Sequence, residues 1–108
     1  MKINELRDIA YTTACDKGWH DTERSVPELI CLMHSELSEA LEEFRKGKEA
    51  SDIYYVDGKP EGIPIELADV VIRIADFCGA YKINLEEAIG IKLNYNTTRP
   101  HRHGNKRC

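Results

Sequence analysis

The 108-residue chain is defined first by what is missing from it. No apolar run approaches the ~18 residues that span a bilayer. The start, Met1-Lys2-Ile3-Asn4-Glu5, has no apolar segment of the secretory kind. A cytoplasmic protein with no membrane association is therefore expected. The cysteines, Cys15, Cys31, Cys78 and Cys108, form no Cys-x-x-Cys pair and no zinc-like spacing with histidine. Cys31 and Cys78 fall in apolar helical patterns, where a free thiol packs as a small hydrophobe, so no structural disulfide is expected. There is no Walker A loop and no Gly-x-Gly-x-x-Gly, which excludes a backbone phosphate cradle of those kinds. No histidine has a glutamate three residues before it, so the Glu-x-x-His pairs of a di-iron bundle are absent. Aromatic residues make up only 7% of the chain, with Trp19 the single tryptophan.

What is present suits one small folded domain over residues 1–108, with 42% hydrophobic and 31% charged residues. Charge is unevenly spread. Residues 1–91 carry 10 basic and 19 acidic side chains, while residues 92–108 carry Lys92, Arg99, Arg102, Lys106 and Arg107 and no acid. A basic tail thus begins near residue 99. It suits nucleic acid, a phosphorylated small molecule, or simple neutralisation of the acidic body. A formal net charge of −4 counts against a dedicated nucleic-acid binder, whose affinity comes mainly from clustered positive charge.

Hydrophobic periodicity predicts four helices. The first runs from about Ile3 to Lys17, with Gly18 as its C-terminal cap. The second runs from about Pro27 to Lys46, with Ser25 as N-cap and Gly47 beyond its end. Residues 48–62 read as a loop, in which Ile53-Tyr54-Tyr55-Val56 could extend or pack on the helices. The third helix runs from about Pro64 to Tyr81. The fourth follows Asn84 and ends near Asn96, before Pro100. Short connections point to an all-α four-helix bundle, and the thin core of so short a chain points to a homodimer or homotetramer.

Chemistry concentrates on the second and third helices. On a helical wheel Glu36 falls inside the arc of Leu29, Leu32, Leu37, Ala40 and Leu41, with Glu39 at its edge and Glu43 close by. A carboxylate inside an apolar arc is costly unless paired. The third helix is apolar around most of its circumference and is expected to be buried, with one narrow polar stripe of Glu66, Asp69, Arg73 and Asp76. Glu36/Glu39 and Glu66/Asp69 are both i,i+3 pairs, each placing two carboxylates on one face. Two like charges 5 Å apart repel by roughly 3 kcal/mol at an effective dielectric near 20. Such pairs also occur on solvated faces. Facing each other, they would have to protonate, reach water or bind hard divalent cations, Mg²⁺ or Mn²⁺. Lys92, Asn96 and Arg99, at the end of the fourth helix, are candidates to clamp phosphate; basic residues there also favour the helix dipole.

Glu36-Leu-Ser-Glu39-Ala followed after a loop by Glu66-Leu-Ala-Asp69 resembles the MazG-like, all-α nucleoside triphosphate pyrophosphohydrolase superfamily, whose signature is Glu-x-x-Glu then Glu-x-x-Asp on the next helix. The resemblance runs from about Lys17-Gly18-Trp19 to Arg99-Pro100-His101-Arg102-His103-Gly104. It implies that Glu36, Glu39, Glu66 and Asp69 ligate Mg²⁺, and that Lys92, Asn96 and Arg99 touch the triphosphate. Trp19 resembles an aromatic residue that stacks on the base in one branch; packing between helices is its other reading. Ser35 stands where many members have a further acid, and Arg73 where that branch often has tyrosine. Arg73 either binds phosphate or pairs with Asp69 and Asp76 to hold the site. The implied reaction cleaves a nucleoside triphosphate between its α- and β-phosphates, with Glu39 or Glu36 handling the attacking water. A phosphoribosyl-ATP pyrophosphohydrolase is the nearest enzymatic alternative, and a non-catalytic helical binding module the other.

Overall fold

The computed structural model describes residues 1–100, so the basic tail expected from about residue 99 lies almost wholly outside the described residues. Among the described residues four helices form: α1 (Ile3–Asp16), α2 (Val26–Arg45), α3 (Ile63–Ala80) and α4 (Leu85–Thr97). Their boundaries follow local chemistry. The Ser25 hydroxyl accepts the Glu28 backbone N–H at 3.2 Å, and Pro27 occupies the first turn of α2, where its missing N–H leaves no bond unmade. Asn84 caps α4 by accepting the Glu87 N–H at 3.1 Å. After α1 the chain reverses through Gly18 at φ +83°, and the Trp19 N–H returns to the Ala14 carbonyl at 2.9 Å. That left-handed exit suits glycine, and the bond satisfies a carbonyl the helix end would leave bare. It also decides where Trp19 goes, back across α3.

Residues 48–62 are not simply a loop. Within them β1 (Tyr54–Val56) and β2 (Lys59–Glu61) pair antiparallel, Tyr54 opposite Glu61 and Val56 opposite Lys59. Asp57 and Gly58 both have positive φ, 51° and 81°, the requirement of a type I′ hairpin turn. The signal was the Asp-Gly pair after Tyr-Tyr-Val, masked by the polar residues around it.

Both α1 and α2 pack on α3, the hairpin touches the start of α3 through β2, and α4 leans on α1. Small side chains let the helices approach: Ala10 from α1, Ala40 from α2, and Val70, Ala75 and Cys78 from α3 are the buried apolar residues. Among the described residues no large side chain is fully buried. The expectation that α3 is covered on most sides is corrected by Leu67, Val71 and Ile72, each nearly half exposed, because helices pack on only part of its surface. Polar contacts anchor α4 instead of an apolar face. The Asn4 backbone N–H donates to Glu86 Oε1 and its side-chain amide to Asn84 Oδ1, both at 2.9 Å. Arg7 Nη1 donates to the Ile83 carbonyl at 3.0 Å. Among the described residues no helix is long and apolar enough to cross a membrane.

Candidate metal centre

Packing α2 against α3 brings the two acidic pairs together. Glu36, Glu39 and Glu66 each place a carboxylate oxygen so that all three lie within 4.8 Å of one another. Asp69 is one turn further along α3. It does not join that closest set but raises the field at Glu66 and lines the same cavity as Glu36. The three differ in exposure: Glu39 is open to solvent, Glu36 half-buried, and Glu66 only 9% exposed. Glu66 Oε2 is buried without any hydrogen-bond partner. Burial first, then the Glu39 carboxylate and the charges of Asp69 and Glu36, push the Glu66 carboxyl up to about 7. Burial and Glu36 also raise Asp69, against the opposing pull of Arg73 and Lys59.

Arg73 lies on the polar stripe as expected, and the carboxylate it meets is neither Asp69 nor Asp76, the pairing that was one of its two readings. Its Nε donates to Glu36 Oε1 at 2.8 Å across the α2–α3 contact. Its guanidinium also sits 4.8 Å from the centroid of the Trp19 ring, as does that of Arg24. Asp76 is taken by His20, whose Nε2 is 2.7 Å from Asp76 Oδ1. Interhelical reach decides these pairings: the Gly18 turn delivers Trp19 and His20 onto α3, which wheel positions alone do not reveal.

A cavity of about 430 Å³ opens beside these groups. Leu6, Ile9 and Ala10 of α1 and Ile72 of α3 give it an apolar wall, and Trp19, Glu36, Asp69 and Arg73 line it too. The predicted residues Lys92, Asn96 and Arg99 are not brought to it. They lie on α4 or just after it, where Lys92 and Arg99 approach the Tyr95 ring at 5.0 and 5.5 Å, and none lines the cavity. Because α4 leans on α1 rather than on the acidic pairs, one chain keeps these groups apart.

Two carboxylates were missed as site residues. Glu43, one turn beyond Glu39, is 4% exposed, and its Oε2 accepts the Tyr54 hydroxyl at 2.7 Å. Glu61, at the end of β2, joins Glu43 and Glu66 in a second set whose carboxylate oxygens lie within 4.8 Å of one another. Glu43 had a signal, its place near the apolar arc. Glu61 had none, because only the hairpin carries it back to α3.

The chain was compared with protein-family models, curated proteins and solved structures. None matches.

Proposed function

We propose that the protein is a Mg²⁺-dependent nucleoside triphosphate pyrophosphohydrolase of the MazG-like kind, releasing a nucleoside monophosphate and pyrophosphate. The observation that carries this reading is the convergence of Glu36, Glu39 and Glu66 within 4.8 Å, beside a cavity large enough for a nucleoside. The donor set fits the ion. An all-carboxylate set of oxygen donors suits a hard divalent cation, and the buried, unpartnered Glu66 Oε2 is the kind of atom a cation would satisfy. Asp69, half-buried on the next turn of α3, is the fourth donor the signature supplies.

A bound Mg²⁺ would offset the repulsion between carboxylates and triphosphate, polarise the phosphoryl group and acidify a bound water. The chain's own residues divide the remaining work. Glu36 is engaged by Arg73 and Glu66 is buried, which leaves Glu39 as the carboxylate open to orient a water or accept its proton. Arg73 stands between Glu36 and Trp19, where its charge can meet an entering phosphate. The apolar wall from α1 accepts the base or sugar, and a base stacking on Trp19 would take over ring surface now shared with the Arg24 and Arg73 guanidiniums.

The active form is an oligomer. Ile30, Leu37, Leu41 and Phe44 form one stripe along α2, and Phe44 is 64% exposed. A second copy seated there would complete the helical bundle that one chain leaves open and cover an apolar strip costly to leave in water. It is also the means by which Lys92, Asn96 and Arg99 of a partner copy could reach the triphosphate.

Glu36→Gln and Asp69→Asn test the assignment. Each removes a ligand charge with little change of shape. Pyrophosphate release from nucleoside triphosphates with Mg²⁺ should vanish while the helical circular dichroism is kept. Retained activity in either folded variant contradicts the proposal.

A further inference from the structure

Three acidic side chains meet on the side of Glu66 that faces the hairpin, apart from the Glu-x-x-Glu residues. Glu43 comes from α2, Glu61 from the end of β2, and Glu66 from the first turn of α3, with carboxylate oxygens within 4.8 Å of one another. Glu43 is 4% exposed and Glu66 9%. Three carboxylates so placed need compensating charge, and little is at hand. Lys46 Nζ is 3.9 Å from Glu43 Oε1, and its own side chain is 63% exposed. Lys59 Nζ is 3.5 Å from Glu61 Oε1 and is more exposed still. Solvated lysines at such distances contribute little to a buried carboxylate. The Tyr54 hydroxyl satisfies Glu43 Oε2 and leaves Oε1 with only the distant lysine. A second, independent feature is Glu66 Oε2, which is buried and has no donor at all.

The hairpin then has a purpose beyond joining two helices. Tyr54 stands opposite Glu61 in its register, so a single turn sets the group that orients Glu43 and the carboxylate that completes the trio. Octahedral Mg²⁺ holds opposite oxygens about 4.0–4.2 Å apart, inside the 4.8 Å limit that bounds this trio.

We propose that Glu66 bridges two cation positions, the second formed by Glu43, Glu61 and Glu66 and selective for a hard divalent ion of the Mg²⁺ or Mn²⁺ class. This rests on the metal-dependent reading given above and adds two ligands from outside the Glu-x-x-Glu and Glu-x-x-Asp pairs.

Counting bound Mn²⁺ in the whole chain, by the electron paramagnetic resonance signal of the free ion, tests it without reference to activity. The wild-type protein should bind two ions per chain. Glu61→Gln sits at a strand end and should keep the fold, checked by circular dichroism, while weakening one of the two ions by roughly tenfold or more, the scale already met on losing an outer partner of a ligand. Glu43→Gln should weaken the same ion, and Glu39→Gln the other. One ion per chain in the wild type, or two that Glu61→Gln and Glu43→Gln both leave unchanged, overturns the second position and leaves the first standing. No ion bound to the wild type removes the metal-dependent reading itself.

Discussion

Replacing Glu66 by glutamine should stabilise the metal-free protein, and the gain should grow with pH. In the fold the Glu66 carboxyl is held at about 7, against an ordinary 4.5, because burial and the neighbouring carboxylates penalise its charge. Below 4.5 the group is neutral in both folded and unfolded chains and costs nothing. As pH rises towards 7 the unfolded chain ionises first, which draws the equilibrium towards unfolding. Above 7 the loss is complete and amounts to roughly 3 kcal/mol, the free-energy equivalent of that difference in pKa. Glutamine carries no charge, matches the shape and can donate an amide hydrogen to Glu39. Urea unfolding with a chelator present should therefore find Glu66→Gln more stable than wild type by roughly 1 kcal/mol at pH 5 and roughly 3 kcal/mol at pH 8. Saturating Mg²⁺ should reverse the order, since an ion at 1,000 times its Kd adds about 4.1 kcal/mol to the wild type only. Equal stability of the two proteins at pH 8, or a wild type that gains stability from pH 5 to pH 8 where the variant does not, would refute the reasoning.

Trp19→Ala should raise KM for nucleoside triphosphates more than it lowers kcat, because it removes a stacking surface at the cavity and no ligand; steady-state kinetics with an unchanged KM would return Trp19 to helix packing alone. Gly79→Ala should destabilise the fold by about 1–3 kcal/mol. A Cβ there overlaps the Cβ of Tyr11 at the α1–α3 contact, and a urea midpoint equal to that of the wild type would show that the helices can separate without cost.

The helices were legible because their caps and periodicity are local. Ser25 and Asn84 act within one turn, as their residue types require, and Gly18 reverses the chain where its left-handed backbone is needed. The acidic pairs were legible for the same reason: i,i+3 spacing fixes the face before any tertiary contact exists. Pairings across the fold were not. Arg73 binds Glu36 rather than Asp76 because α2 lies on that side of α3 and the turn after α1 supplies His20 to Asp76. Glu42 and Glu43 are adjacent and chemically alike, yet Glu42 pairs with Arg45 in solvent and Glu43 is buried beneath Tyr54. Rotation by one residue on the helix separates them, and the hairpin that covers Glu43 was hidden in a polar stretch. Amphipathic faces say that a helix wants cover but not whether the same chain provides it, so they left open how the four helices close into a bundle.

These carboxylates are proposed to serve cleavage between the α- and β-phosphates. Incubation of a panel of nucleoside triphosphates with the protein and Mg²⁺, with products resolved by phosphorus nuclear magnetic resonance, tests it most directly. Pyrophosphate and nucleoside monophosphate should appear in equal amounts from at least one substrate, and both should be lost on chelation. Orthophosphate with nucleoside diphosphate, or no hydrolysis of any nucleotide in the panel, would contradict it.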